Sequence, residues 1–512
     1  MFTLFGNFSP MRTCSLVFTL CGIVLSFGCL LSAGIAFAET LPAQNWSREW
    51  NGPTNHSDNP SAVLTLPDRS VLVAGSSYDP NGVGHRPVLI RYSPAGTVMW
   101  SQIEPTFSQF RSLAKSSTGD VLLRSILWVG TDLFAFVRRV RPADGTTVWE
   151  AKVAVSQPSP PFEPAMTEDP ATGTLLVAAM RDDDFLAVRI ALEDGRVLDE
   201  QTFDGPTHGV DRATSIAPLP NGGYVIAGPQ GGTSNGYLVI AVDAKGGIMW
   251  TDQEKGPIGN VFTPAWVGVD QKGDVLVGGG PETTCGLFQF RAWKISAAGD
   301  RVWTVSWPDL PCSSAEPAGF DLAPDGSMAL IGQSHNPFNM AILHVAPDGQ
   351  FWSRVWNGPA GGNDDGVVIA SDPFGNMIAG GYTAVIGGRD MAIVAWKPNG
   401  DQLFSRVDSV GPSATESVVG LSLGKNGTYS IVGAGFGGPQ NNNIYSGLYQ
   451  RNLLQGDVNN SGAVNVHDLL TIISAWGPCA PASPCLADIA PWPTGDDTVD
   501  VNDLLAVIAN WG

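Results

Sequence analysis

The stretch GDVNNSGAVNVHDLLTIISAWG at 456–477 sets side-chain oxygens on Asp457, Asn459, Ser461, Asn465 and Asp468, with Gly462 among them. These are positions 1, 3, 5, 9 and 12 of a twelve-residue loop, and the glycine falls at position 6, where such a loop turns sharply. A hard cation takes about six to eight oxygen ligands, and this spacing gathers them around one point, so the predicted chemistry is Ca2+ binding. Behind the loop, Leu469, Leu470, Ile472, Ile473 and Trp476 recur at helical spacing and predict an apolar stripe. A second copy, TVDVNDLLAVIANWG at 498–512, lies 35 residues further on. Its candidate ligands are Asp488, Asp496, Asp500 and Asp503, with four extra residues between the first and the last and Asp497 where glycine is expected. Aspartate tolerates left-handed backbone better than most residues.

Other groups with chemical potential are scattered. Asp58, Asp211 and Asp364 each stand six residues after the glycine of a Gly-Pro pair. A ring of such carboxylates could hold a cation or exchange protons, whereas a residue recurring at one repeat position also fits a turn cap. His56 and His208 share the segments of Asp58 and Asp211, and Asp182-Asp183-Asp184 reads as a solvated loop. Beyond residue 38 there are four cysteines, Cys285, Cys312, Cys479 and Cys485, and an even number in an exported chain predicts disulfides Cys285–Cys312 and Cys479–Cys485. No nucleophile elbow, phosphate loop or metalloprotease motif is present.

The elements that must position these residues are set by a repeat of about 50 residues, the range of propeller blades. Its inner segments are VLVAG (71–75), VLLR (121–124), LLVAA (175–179), YVIAG (224–228), VLVGG (275–279), ALIG (329–332), MIAGG (377–381) and SIVG (430–433). Seven units carry a second hairpin whose turn ends at Gly96, Gly145, Gly195, Gly246, Gly299, Gly349 or Gly400, and several of these turns are followed by Trp100, Trp149, Trp250, Trp303 or Trp352. The eighth unit ends without its fourth strand. WSREWNGP at 46–53 almost duplicates WSRVWNGP at 352–359, which contains a fourth-strand segment, so the opening strand is predicted to complete the last blade and close a ring. The expected fold is all-β, an eight-bladed β-propeller closed by an N-terminal strand, with seven blades as the alternative if the second unit is not a blade. A small α-helical, EF-hand-like module follows. The predicted boundaries are 1–38, 39–454 and 455–512.

NDDGVVIASDPFGNMIAGGYT at 363–383 resembles a bacterial β-propeller repeat family whose motif is structural. The turns before tryptophan also resemble the docking repeats of quinoprotein dehydrogenases, but the vicinal cysteine pair of those enzymes is missing. The C-terminal segment resembles a type I dockerin. That resemblance implies two calcium loops, each before a helix and closed by Asp at position 12, here Asp468 and Asp503, and a cohesin domain as partner. The partner-reading positions of the family fall on Val466-His467 and Val501-Asn502, a departure from its usual Ser-Thr type that leaves the partner's identity open.

A net charge of −20 with 28 Lys and Arg among 512 residues repels phosphate backbones and argues against nucleic-acid binding. Arg12, the apolar run 16–38 and Ala36-Phe37-Ala38 predict an export signal cleaved after Ala38, with a lipid anchor at Cys29 as the rival. No later run is long enough to span a membrane. The expectation is a secreted or cell-surface propeller that offers a glycan or protein ligand face and is moored by a calcium-dependent module to a cohesin-like partner. The alternative is a polysaccharide-acting glycoside hydrolase or lyase.

Overall fold

The computed structural model describes residues 41–511 except 82–83, 106–107, 130, 157–164, 232–235, 256–263, 282–287, 309–313, 336, 410–414, 437–441, 452–454, 460–463, 480–484 and 491–494. The expected export signal at 1–38, Cys285, Cys312 and Ser461 therefore lie outside the described residues.

Short β-branched runs such as VLVAG have side chains of both parities buried, because each sheet is covered on both faces by its neighbours. The result is a ring of eight four-stranded antiparallel sheets. Blades 1 to 7 are consecutive meanders over residues 58–103, 109–155, 165–203, 215–255, 266–307, 315–356 and 364–408. Blade 8 takes three strands from 417–450 and its fourth from Ala43–Trp50, which pairs antiparallel with Asn442–Gln450 so that Trp46 faces Leu448 and Trp50 faces Ile444. The second unit is a complete blade, so the count is eight. The segments expected to be innermost stand second from the axis. The strand before each of them lines the central channel, as Val63, Arg111, Phe320 and Val368 do.

One contact, repeated around the ring, explains why tryptophan follows the glycine turn. In six of the fourth strands one tryptophan donates its indole Nε1 to a carbonyl in the corresponding hairpin turn of the next blade. The pairs are Trp46 to Pro94 at 3.0 Å, Trp100 to Pro142 at 3.2 Å, Trp149 to Leu192 at 2.8 Å, Trp250 to Ala297 at 3.2 Å, Trp303 to Pro347 at 3.1 Å and Trp352 to Pro398 at 2.8 Å. The ring then covers the turn glycine. A Cβ on Gly96, Gly195 or Gly299 would lie 2.7 Å from the tryptophan, and φ at these glycines is +75 to +98°. Two residues beyond the tryptophan, Arg48 and Arg354 each donate Nε to the carbonyl of the glycine itself, at 2.8 Å. The duplicated phrase of the sequence thus makes the same contacts twice. Blade 3 has Asp199 at the tryptophan position and retains only the second contact, Gln201 to the Gly246 carbonyl at 2.8 Å. Where blade 8 lacks a hairpin turn, Arg406 of blade 7 donates instead to the carbonyl of Pro42, at 3.1 Å, and so grips the entry of the closing strand.

The C-terminal module contains helices α1 (Val466–Ser474) and α2 (Val501–Ala509) and a two-strand pairing of Gly477–Pro478 with Thr498–Val499. Val458, Val464, Ile472, Ile489, Val499 and Val507 form its own core. The expected Cys479–Cys485 disulfide is present, with Cα atoms 5.7 Å apart. Among the described residues no helix is long and apolar enough to cross a membrane.

Gly96 and Gly119 share left-handed backbone, φ +78 and +86°, but a Cβ on Gly119 meets nothing within 4 Å. Gly119→Ala is therefore expected to cost only the backbone term, about 1 kcal/mol, and Gly96→Ala about 1–3 kcal/mol more from the displaced indole of Trp46. Denaturant unfolding of the two variants checks this, and equal losses would contradict the docking account.

Candidate functional site

In the first loop the chain folds back on Asp468. Its fully buried carboxylate accepts N–H from Val458 at 2.9 Å and Asn459 at 3.2 Å on Oδ1, and from Asn465 at 2.8 Å on Oδ2. Asn465 in turn caps α1 by accepting from the His467 N–H at 2.9 Å, which makes a reciprocal capping box. Positions 2, 3 and 9 of the loop are thereby drawn to the carboxylate of position 12. Oδ2 accepts one N–H and keeps lone-pair capacity. The side-chain oxygens of Asp457, Asn459, Asn465 and Asp468 are all hard donors, a set whose chemistry fits Ca2+.

The second loop repeats this frame. Asp503 is fully buried and accepts from Ile489 at 2.6 Å, Ala490 at 2.7 Å and Asp500 at 2.8 Å, while Asp500 caps α2 through the Asn502 N–H at 2.7 Å. Asp488, the counterpart of Asp457, differs. Its buried carboxylate is folded over the turn at Gly495, accepting N–H from Asp496 at 2.8 Å and Asp497 at 2.9 Å. Asp497 has φ +67°, the left-handed backbone expected at the missing glycine. Lys425, from the turn between the first and second strands of blade 8, brings its ammonium to 3.3 Å from Asp488 Oδ2 and 2.7 Å from Asp497 Oδ1. Burial works against that charge, yet the bond to Asp497 and the field of Asp488 hold its pKa above the usual lysine value.

On the propeller, Asp58, Asp211 and Asp364 form no ring. Each is fully buried and accepts the N–H of the glycine six residues earlier at 2.7 Å, and Asp364 also accepts from Thr383 Oγ1 at 2.6 Å. They are caps of the blade connections. Asp184 and Asp204 bring one oxygen each within 4.8 Å of Asp211, whose two oxygens already accept N–H from Gly205 and Gly231. His208 bonds to the Asp204 carboxylate at 2.5 Å in solvent, which raises its pKa, and His56 lies edge-on to Tyr78 in a different connection. The two histidines form no pair.

The same face carries a group that sequence reasoning missed. Asp365 pairs across strands with Tyr382, so both side chains stand on one side of blade 7. The Arg389 guanidinium lies 4.1 Å over the Tyr382 ring. Burial, with Glu316 nearby, pushes the Asp365 carboxyl up to about 6 against the pull of Arg389. Burial and the charge of Asp365 likewise raise the Tyr382 phenol. A carboxyl poised between charged and neutral beside a phenol and a guanidinium can exchange protons near neutral pH.

No family model and no curated protein matches this chain. Solved propellers share its fold at low identity. Sqt1 of Saccharomyces cerevisiae is 13% identical over 80% of this chain and 100% of its own, with a TM-score of 0.50. The β-propeller domain of the Trilobed protease of Pyrococcus furiosus is 12% identical over 68% and 96%, with a TM-score of 0.40. The polysaccharide lyase Uly1 is 10% identical over 79% and 91%, also at 0.40.

In sequence the only hint of the Asp365 group was the second Asp of NDDG, because Tyr382 and Arg389 join it through strand register and ring geometry. Its folded pKa exceeds the unfolded value of about 3.9, so folding penalises the charged form. The penalty is absent below about pH 4, grows as pH rises through about 6, and is constant above. Asp365→Asn is expected to raise the melting temperature at pH 8 and leave it unchanged at pH 4. A shift of equal size at both pH values would contradict the burial of this carboxyl.

Proposed function

We propose that this chain is an exported binding protein whose propeller presents a ligand face, for glycan or protein, while the C-terminal module ties it through a calcium-dependent, dockerin-like contact to a cohesin-like domain. The observation that carries the reading is a duplicated apolar face. Val466, Leu470, Ile473 and Trp476 are each 49–54% exposed, and their counterparts 35 residues on, Val501, Leu505, Ile508 and Trp511, are each 51–54% exposed. Leu469 and Ile472 already serve the module's interior, so this outer row is not core. Two matching apolar stripes held open to water are a surface built for a partner. Val466 and Val501 head the stripes, at the positions the dockerin resemblance assigns to partner reading.

Asp457, Asn459, Ser461, Asn465 and Asp468 are the residues that would hold Ca2+ in the first loop. Bound there, the ion neutralises converging oxygens. Asp468 ties residues 458 and 459 to the first turn of α1 and so sets the angle at which the stripe leaves the loop. The net charge of −20 favours such a cationic ligand and disfavours nucleic acid.

The Asp365, Tyr382 and Arg389 group favours a second reading, a polysaccharide-acting hydrolase or lyase with Asp365 as the proton-exchanging group.

Calorimetry of the full chain with Ca2+ is expected to give heat below millimolar calcium, and cohesin-type domains are expected to be retained only with calcium present. Leu470→Asp with Leu505→Asp should weaken retention at least tenfold, about 1.4 kcal/mol or more. Absence of calcium heat, or retention indifferent to both substitutions, would overturn the tether. A polysaccharide panel separates the two readings: retention without cleavage supports the binder, and release of ends abolished by Asp365→Asn supports the enzyme.

A further inference from the structure

The two loops share a frame but differ at their first carboxylate. In the second, Asp488 is fully buried, and its compensating charge comes from outside the module, from Lys425 of blade 8. Burying a carboxylate is costly, and the ammonium 3.3 Å away offsets that cost while its bond to Asp497 anchors it from the solvent side. Asp497 can serve there because its left-handed backbone, φ +67°, turns the chain that four extra residues have lengthened, and its own side chain is 79% exposed toward the lysine. Asp488 also accepts one N–H on each oxygen, from Asp496 and Asp497, so that the ammonium on Oδ2 takes up the capacity an ion would use there. A divalent ion entering beside Asp488 would face the ammonium as a like charge at close range.

Resting on the calcium reading above, we propose that Lys425 is the resident cation of the second loop, so that the chain binds one Ca2+ and the second loop serves as a latch that moors the module to blade 8. The latch sits on the first-to-second-strand turn, at the blade end opposite the connections that bear Asp58, Asp211 and Asp364. Docking of the module thus leaves the connection face open.

Calcium titration of the chelator-stripped full chain tests this directly. The wild type is expected to bind one Ca2+, Lys425→Met two, the second more weakly, and Lys425→Arg one again, because the arginine keeps the charge. Two calcium ions in the wild type, or one in both the wild type and Lys425→Met, would overturn the latch and leave the calcium reading intact. No calcium bound by any of the three would overturn both. Melting of Lys425→Met in chelator guards against misfolding: the half-exposed turn residue is expected to leave the propeller transition in place, and a lost transition would count against a latch confined to the module.

Discussion

The pairing of Ala43–Trp50 with Asn442–Gln450 is the interaction on which the rest of the propeller depends. A single four-stranded blade cannot bury two apolar faces by itself, and an open arc of blades leaves the faces of its first and last members wet. The closing strand fills the unpaired edge of blade 8, and Trp46 carries the indole-to-turn contact from blade 8 to blade 1. Arg406 extends the same gripping logic across the one junction where no hairpin exists. Sheet hydrogen bonding and side-chain docking therefore close the ring at the same place.

Much of this was legible in the sequence, for physical reasons. Glycine with positive φ, tryptophan three or four residues later and a β-branched run before them are local signals, and each survives in most units because the same contact must be remade at each blade junction. The repeated phrase disclosed the closure because Trp46, Arg48, Gly52 and Asp58 make the contacts of Trp352, Arg354, Gly358 and Asp364. The order of strands from the axis was less legible. The buried runs look innermost by apolarity, yet they stand second, and the strands around the channel are the more polar ones, partly exposed to its interior.

Non-local contacts were not legible. Helical spacing marked Leu469, Leu470, Ile472, Ile473 and Trp476 as one stripe, but the module is so small that its core takes only Leu469 and Ile472 and leaves the others to water. Asp365 is not marked by the repeat as Asp364 is; one step along a strand reverses the side-chain direction, and that alone sends one carboxyl into a turn and the other beside Tyr382. Lys425 meets Asp488 across 63 residues, a distance no local pattern reports.

The propeller has two opposed ends, a connection face with Asp365 and a turn face with Lys425. That separation has meaning only if the wheel is closed. Native-state hydrogen exchange of the Ala43–Trp50 amides tests closure most directly. Those bonded to Asn442–Gln450 are expected to exchange as slowly as the central strands of blade 8, and only on global unfolding. Exchange of this segment at the rate of a free peptide while blade 8 stays protected would contradict closure.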